Sequence, residues 1–294
     1  MNDISEAFKV NGTAKIKLSD FDTKESLKFK KDDATETLAQ FKSEMDELQE
    51  KLYATNRYSL LIIFQAMDAG GKDSAIEHVM SGLNPQGCQV FSFKQPSAEE
   101  LEHDFLWRHY KALPEKGRIG IHNRSHYENV LICKVHPEIA LEGGNPKFNS
   151  IDDLDQEFWD ERYESIRDFE RHLHRNGTVI IKFFLHVSKE EQKERFLERI
   201  DNPLKNWKFS SFDVEERGHW NAYMQAYEDA INETSTESAP WYIIPADKKW
   251  FARIAISKII ADRLKSLDLK LPELEAEERA KLDSSREKLM SQDS

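Results

Sequence analysis

The chain predicts an α/β fold of three layers, with a parallel sheet of about five strands held between two sets of helices. Apolar segments at about 60 to 66, 88 to 93, 118 to 122, 178 to 187 and 241 to 246 alternate with helical patterns at about 72 to 82, 97 to 111, 125 to 133, 155 to 175 and 189 to 200. The apolar segments are nearly continuous rather than alternating, as expected of strands covered on both faces. The first of them stops at a glycine pair and a lysine just before a helical pattern begins. Ligands of such sheets bind beyond the carboxyl ends of the strands, where that loop falls.

Taken in order, residues 1–32 are polar and weakly periodic, whereas Leu38, Phe41, Met45, Leu48 and Leu52 stand at helical spacing. Residues 1–55 are therefore expected to be an N-terminal extension ending in a helix that docks on the main domain, 56–270. Helices at about 213 to 232 and 248 to 268 complete that domain, and Trp220, Tyr223 and Tyr227 form a stripe read as core. Residues 271–294, rich in Glu, Lys, Arg and Ala, are expected to be an exposed helix or a frayed end.

At 294 residues the chain can bury a full core, and no long linker divides it. The net charge of −12 argues against nucleic-acid or anionic-membrane binding, which needs a basic face. Any polyanion must enter a locally basic groove. No apolar stretch approaches the ~20 residues of a membrane span. The start Met1-Asn2-Asp3-Ile4-Ser5-Glu6 lacks the regions of a signal peptide, so the cytoplasm is the expected location. Cys88 and Cys133 are too few for a disulfide framework and fit a reducing compartment.

Residues 60–75 read as a phosphate cradle with irregular chemistry. Against the pattern G-x-x-x-x-G-K-[S/T], Gly71 and Lys72 align, but Ala66 replaces the first glycine and Asp73 the hydroxyl residue. Ala69, Gly70, Gly71 and Asp73 are expected to wrap a phosphate with backbone N–H groups at a helix start, and Lys72 to meet the phosphoryl being moved. The competing reading is a glycine turn with a surface lysine. Asp68 is read as a metal ligand, because a carboxylate beside polyphosphate repels it unless a divalent cation intervenes; the alternative is an Asx turn.

The third strand ends in Asn123-Arg124-Ser125-His126-Tyr127-Glu128. Arg124 can grip a phosphate bidentately, and Glu128 can hold metal or contact nucleotide. A helix start capped by Asn123 or Ser125 is compatible with both roles. His122 and His126 have the spacing of helical metal ligands, but a strand–helix junction splays them and no Cys or third His stands nearby, so zinc is not expected.

Positive charge gathers in 189–209, where Arg195 and Arg199 share a helix face and Lys205 and Lys208 follow in a loop. This stretch, about 189–215, is expected to be a helical lid that closes over phosphate and excludes water; a salt-bridged helix face is the alternative. Lys94 and Arg108 are candidates for the acceptor side.

Together these residues resemble the polyphosphate kinase 2 family from about Leu48 to Leu267. The likeness rests on Phe-Gln-Ala-Met-Asp-Ala-Gly-Gly-Lys-Asp (64–73), Leu-Asn-Pro-Gln-Gly (83–87), Leu-Trp-Arg-His-Tyr (106–110), Asn-Arg-Ser-His-Tyr-Glu (123–128), Lys-Phe-Phe-Leu-His-Val-Ser-Lys-Glu-Glu-Gln (182–192) and Ala-Pro-Trp-Tyr-Ile-Ile-Pro-Ala-Asp (239–247). The resemblance implies a P-loop kinase fold similar to thymidylate kinase. It further implies transfer of the terminal phosphoryl of inorganic polyphosphate, with Mg2+ or Mn2+, to a nucleotide, and assembly as a homotetramer. Asp68 would organise metal or phosphate, Lys72 and Arg124 would bind phosphate, and the segment from Arg195 to Lys208 would be the lid. Many members carry Asp-Arg-Ser-x-Tyr-Asn where this chain has Asn123 and Glu128, which leaves the metal ligand set open. In this the chain is similar to the subgroup often called class III, which implies AMP and ADP as acceptors, ADP and ATP as products, and GMP or GDP as further candidates. The rival readings are an ATP-dependent nucleoside monophosphate kinase, a non-catalytic nucleotide or polyphosphate sensor, and a phosphohistidine enzyme using His122 or His126.

Overall fold

The computed structural model describes residues 4–292; Met1 to Asp3, at the head of the expected N-terminal extension, and Asp293 and Ser294, at the end of the expected tail, lie outside them. Helix α1 (Ile4–Phe8) and strand β1 (Lys9–Val10) lead through a loop to α2 (Ala34–Thr55), β2 (Ser59–Gln65), α3 (Lys72–Met80) and β3 (Cys88–Ser92). Short helices α4 (Ala98–Leu101) and α5 (Trp107–Tyr110) precede β4 (Ile119–Asn123), and α6 (Ile132–Val135) and α7 (Glu138–Leu141) follow it. Then come α8 (Gln156–Arg175), β5 (Thr178–His186), α9 (Lys189–Asp201), α10 (Ser211–Glu216), α11 (Trp220–Thr234), β6 (Trp241–Pro245), α12 (Lys249–Lys265) and α13 (Ala276–Gln292).

The sheet order is β1-β6-β5-β2-β4-β3, and β2 to β6 run parallel as expected. β1 pairs antiparallel with β6, an addition the sequence reading lacked. Ile4, Phe8 and Val10 are buried there, too sparse a set to make a readable period in a polar segment. Leu60 to Phe64 in β2 are wholly buried, as a central parallel strand requires. Helices α2, α3 and α12 pack together, as do α6, α8 and α11, giving the two layers of helix.

The expected helix at 97 to 111 is broken, because Asp104 accepts from the Leu106 N–H and turns the chain between α4 and α5. The expected helix at 213 to 232 is likewise divided at Arg217–His219, a single 3-10 turn that contains Gly218. Residues 125 to 133 form a 3-10 segment, His126–Val130, before α6. Helix α13 carries no buried residue. Among the described residues no helix is long and apolar enough to cross a membrane.

β2 is the point where the order turns: the chain leaves it for β3 at one edge, returns to β4 beside it, and then continues to β5 on its other side. The loops after β2, β4 and β5 therefore open onto one crevice.

Candidate active site

Between β2 and α3 the backbone is bent by residues that tolerate the bend. A Cβ on Gly70 would sit 2.6 Å from the Met67 carbonyl oxygen and 2.7 Å from Ala66 Cβ. Gly71 has φ +101° and caps α3, while Ala69 at φ +56° holds a left-handed conformation that costs a non-glycine residue energy. The bend aims the loop's N–H groups and the first turn of α3 at one point, the arrangement that binds phosphate. Lys72 folds back to donate to the carbonyls of Ala66 at 2.6 Å and Met67 at 3.4 Å. Burial pushes its ammonium below the usual lysine range, and Arg124 adds to that, against the opposing pull of Asp68, Glu128 and Asp73.

Arg124 also has positive φ, +62°, and its N–H is held by the Phe64 carbonyl at the end of β2. That places its guanidinium 3.0 Å from Asp68 Oδ1. Burial works against the charge of Arg124, but Glu128 and Asp68 outweigh it and raise its pKa. Beside it Asn123 donates to Asp73 Oδ1 at 2.6 Å, so Asp73 is occupied by the end of β4. Burial raises the Glu128 carboxyl above the usual carboxylate range, and Asp68 adds to this while Arg124 and Lys72 oppose it. Asp213, on α10, is raised by burial and by Asp68, with Arg199, Arg124 and Lys72 opposing. Asp68 thus acts on the charge of both Glu128 and Asp213 around the basic groups Lys72 and Arg124, although the three carboxylates do not converge within 4.8 Å of one another.

The basic stretch divides into two roles. Arg195 is 6% exposed and lies beneath the loop, not on a lid: it donates to Gly70 O at 2.8 Å, Ala69 O at 3.3 Å and Ala246 O at 2.5 Å, and pairs with Glu191. Gln192, one turn earlier on the buried face, donates to the Asp68 carbonyl at 2.9 Å. Arg199 points the other way, toward the Lys208 carbonyl and Asp213 at 3.4 and 3.5 Å. Lys205 pairs with Glu198 at 2.5 Å, and Lys208 lies over the exposed Trp207 ring. Of the stretch expected to be a lid, 189–215, α9 is held beneath the loop through Gln192 and Arg195, whereas residues 202–215 are mostly exposed.

Asp68, Lys72, Arg124 and Glu128 are brought together with Ala69, Gly70 and Gly71, and Asn123 and Asp73 border them. Lys94 is exposed, and Arg108 is committed to Glu100 and to the Lys94 carbonyl, so neither belongs to the cluster. His122 and His126 are fully buried; His122 Nε2 lies 3.0 Å from the Ala112 carbonyl, and burial lowers its pKa to about 4. The His126 ring lies with Nε2 3.4 Å from Glu170 Oε1. Gln65, Gln192, Asp213 and Tyr227 had not been foreseen. Gln65 donates to Ser125 Oγ at 3.1 Å under the β4 turn, and the buried Tyr227 hydroxyl has its pKa raised by burial and then by Glu128 and Asp68. An aromatic at helical spacing reads as core from sequence, and only the tertiary approach of α11 shows that it also walls the site.

The profile of Polyphosphate kinase 2 (PPK2) matches residues 28–272. The chain is 50% identical over 287 residues to a protein of Rhodopseudomonas palustris named ADP-polyphosphate phosphotransferase, covering 97% of this chain and 98% of that one. It is 43% identical to a Meiothermus ruber protein named AMP/ADP-polyphosphate phosphotransferase, over 91% of this chain and 96% of the relative. The crystal structure of Polyphosphate Kinase 2 from Arthrobacter aurescens TC1 superposes with a TM-score of 0.86 at 39% identity, over 96% of this chain and 97% of that one.

Proposed function

The chain belongs to the polyphosphate kinase 2 family, and from that premise we propose that it moves the terminal phosphoryl of inorganic polyphosphate, reversibly, to AMP and to ADP. It is a polyphosphate:nucleotide phosphotransferase. The observation that carries the reading is the meeting of Lys72, Arg124, Asp68 and Glu128 at a glycine-bent loop on the start of α3. Two strongly negative substrates can approach there only if their charge is neutralised.

The acceptor is a terminal phosphate oxygen of the nucleotide, largely ionised near neutral pH because its second pKa is about 6. No strong general base is needed, and in-line attack on the end phosphorus of polyphosphate shortens the chain by one unit. The loop N–H groups hold the donor phosphates, and Lys72, released from the Ala66 carbonyl, meets the phosphoryl in flight together with Arg124. Arg195 and Gln192 keep the loop carbonyls turned away from the phosphates by binding them from beneath. Closure of the lid brings Arg199 and Asp213 over the site and excludes water. Asp68 and Glu128 would hold Mg2+, with Mn2+ as a substitute, and the ion would supply the charge that lets phosphate lie beside carboxylate.

AMP as well as ADP is the reading favoured by the Meiothermus ruber relative's name and by further relatives named polyphosphate:AMP phosphotransferase. GMP and GDP are the further acceptors to try. A homotetramer and a cytoplasmic location complete the proposal; burial raises the Cys88 and Cys133 thiols to about 11 and about 12, which keeps both unreactive as a reducing compartment allows.

The test offers polyphosphate or ATP as sole donor to AMP and to ADP, with Mg2+, and follows nucleotides by chromatography. ADP and ATP formed from polyphosphate are expected. Transfer from ATP alone would mark a nucleoside monophosphate kinase, and tight binding without turnover a sensor. A product from ADP but none from AMP would remove the wider acceptor range while leaving the reaction.

A further inference from the structure

Where α10 gives way to α11, three metal-ligand side chains meet that are not among the residues assigned to the phosphate site. His136 follows α6, Glu216 ends α10, and His219 closes the 3-10 turn Arg217–His219. One donor atom from each lies within 4.8 Å of the other two, the only such group of His, Cys, Asp or Glu among the described residues. His136 Nε2 is 3.0 Å from Glu216 Oε2, and the two imidazole rings stand 5.1 Å apart between centroids.

The surroundings are those of a built site. Glu216 is 4% exposed, and its Oε2 accepts a 2.5 Å bond from the Tyr223 hydroxyl, which fixes the carboxylate. The other nitrogen of His136, Nδ1, is 3.5 Å from Glu138 Oε1. A carboxylate behind a ring N–H sets the tautomer and turns the lone pair of the opposite nitrogen outward, as in carboxylate–histidine–metal arrangements. His136 Nε2 is within hydrogen-bond distance of Glu216 Oε2, which it meets as a donor when its proton is on Nε2; a cation displaces that proton and leaves the ring proton on Nδ1, toward Glu138. Tetrahedral ligands at about 2.0–2.2 Å from a metal stand about 3.3 Å apart, so the spread closes by a small movement of the exposed His219. Two imidazoles and one carboxylate favour zinc-class ions over Mg2+, which prefers oxygen.

We propose that His136, Glu216 and His219 bind one zinc-class divalent cation, with the fourth position open to water, and that this ion pins the root of the lid to the segment after α6. The cation site uses none of the residues of the Asp68–Glu128 pair; its effect on the lid rests on the closure proposed above. Since α10 also carries Asp213, fixing Glu216 and His219 limits how far the lid can swing.

The full chain, stripped with chelator, is titrated with Co2+ in excess Mg2+, which keeps the oxygen-rich phosphate site filled. One Co2+ per chain is expected, with visible d–d absorption displaced by Zn2+ and unfolding at higher temperature when Zn2+ is present. His219→Ala, an exposed position that leaves the fold intact, and His136→Ala should each weaken binding by at least about tenfold and abolish the thermal shift. No Co2+ absorption beyond the free ion, or a titration unchanged in His219→Ala, overturns the proposal.

Discussion

Asn123 donates its side-chain amide to Asp73 Oδ1 across 2.6 Å, joining the end of β4 to the first turn of α3. Each residue alone departs from the usual phosphate-loop chemistry, Asp73 at the hydroxyl position and Asn123 where the family resemblance implies aspartate. As a pair they are complementary, since an amide satisfies a carboxylate that a second carboxylate would repel. Asn123→Asp should therefore lower kcat/KM by about tenfold, equivalent to about 1.4 kcal/mol. Asp73→Asn in the same chain should restore most of the loss. A double-mutant cycle measures the coupling, and a negligible value would mean that the two residues act separately.

Lys72 is the cation nearest the loop's own carbonyls, and substrate must draw it away from Ala66. Lys72→Ala should cut kcat by about 10²–10³-fold, the effect of removing one group aimed at developing charge. Steady-state rates with saturating polyphosphate test this. A rate close to that of the unaltered enzyme would remove Lys72 from the chemistry.

Arg195 reaches phosphate only through the loop it supports. Its fork binds three carbonyls at fixed angles, which the single ammonium of lysine does not reproduce. Arg195→Lys should cost about 1.5–3 kcal/mol for each charged hydrogen bond lost, seen by calorimetry, and should lower kcat through a loosened loop. If stability stays unchanged while KM for polyphosphate rises, Arg195 is meeting substrate directly.

How far the sequence could be read follows from the range of the interactions involved. The five parallel strands and the loop at 66–71 rest on local pattern, apolar runs and glycine punctuation, and stand where expected. Strand β1 rests on pairing with residues more than 200 positions away, which two residues in a polar segment cannot announce. Arg195 and Arg199 look alike in sequence, one turn apart on a basic helix. Their division, one beneath the loop and one toward the lid, depends on the side from which α9 meets β2's loop. Gln192 and Asp213 escaped notice for the same reason: uncharged amides and lone carboxylates on surface helices acquire meaning only from what packs against them.

Lys182 and Glu170 form a buried ion pair behind the 3-10 turn that carries Tyr127 and Glu128. Lys182 Nζ donates to Glu170 at 2.6 Å, to the Tyr127 hydroxyl at 2.9 Å and to the Thr234 carbonyl at 2.9 Å. Lys182→Ala leaves Glu170 buried with only the Tyr127 hydroxyl and His126 beside it, without its cation, and should cost about 3–5 kcal/mol. Burial works to raise the Glu170 carboxyl, but Lys182 and His126 outweigh it and the net shift is downward. A lowered carboxyl contributes stability above its unfolded pKa, about 4.3, that is lost as pH falls through the folded value. The variant should therefore unfold at a higher pH during acid titration. The double variant Lys182→Met with Glu170→Leu should recover most of the stability, and failure to do so would assign the loss to packing.

Glu128 carries the opposite sign. Its carboxyl is raised in the folded chain, burial being the largest cause, so ionised Glu128 destabilises the free protein at pH above its folded pKa. That penalty is relieved as pH falls and is absent below the unfolded value, about 4.3. Glu128→Gln should raise the unfolding temperature of substrate-free enzyme at neutral pH, by about 2–4 °C for each kcal/mol relieved. The gain should shrink toward pH ~4, where the native carboxyl is protonated in both states. The same variant should lose phosphotransfer, because an amide is a poorer partner for a hard cation between phosphates. Addition of Mg2+ with nucleotide should then stabilise the unaltered enzyme more than the variant. A variant less stable than its parent at neutral pH would instead mean that Arg124 and Lys72 overcompensate the burial of Glu128, and that the carboxylate is held for structure.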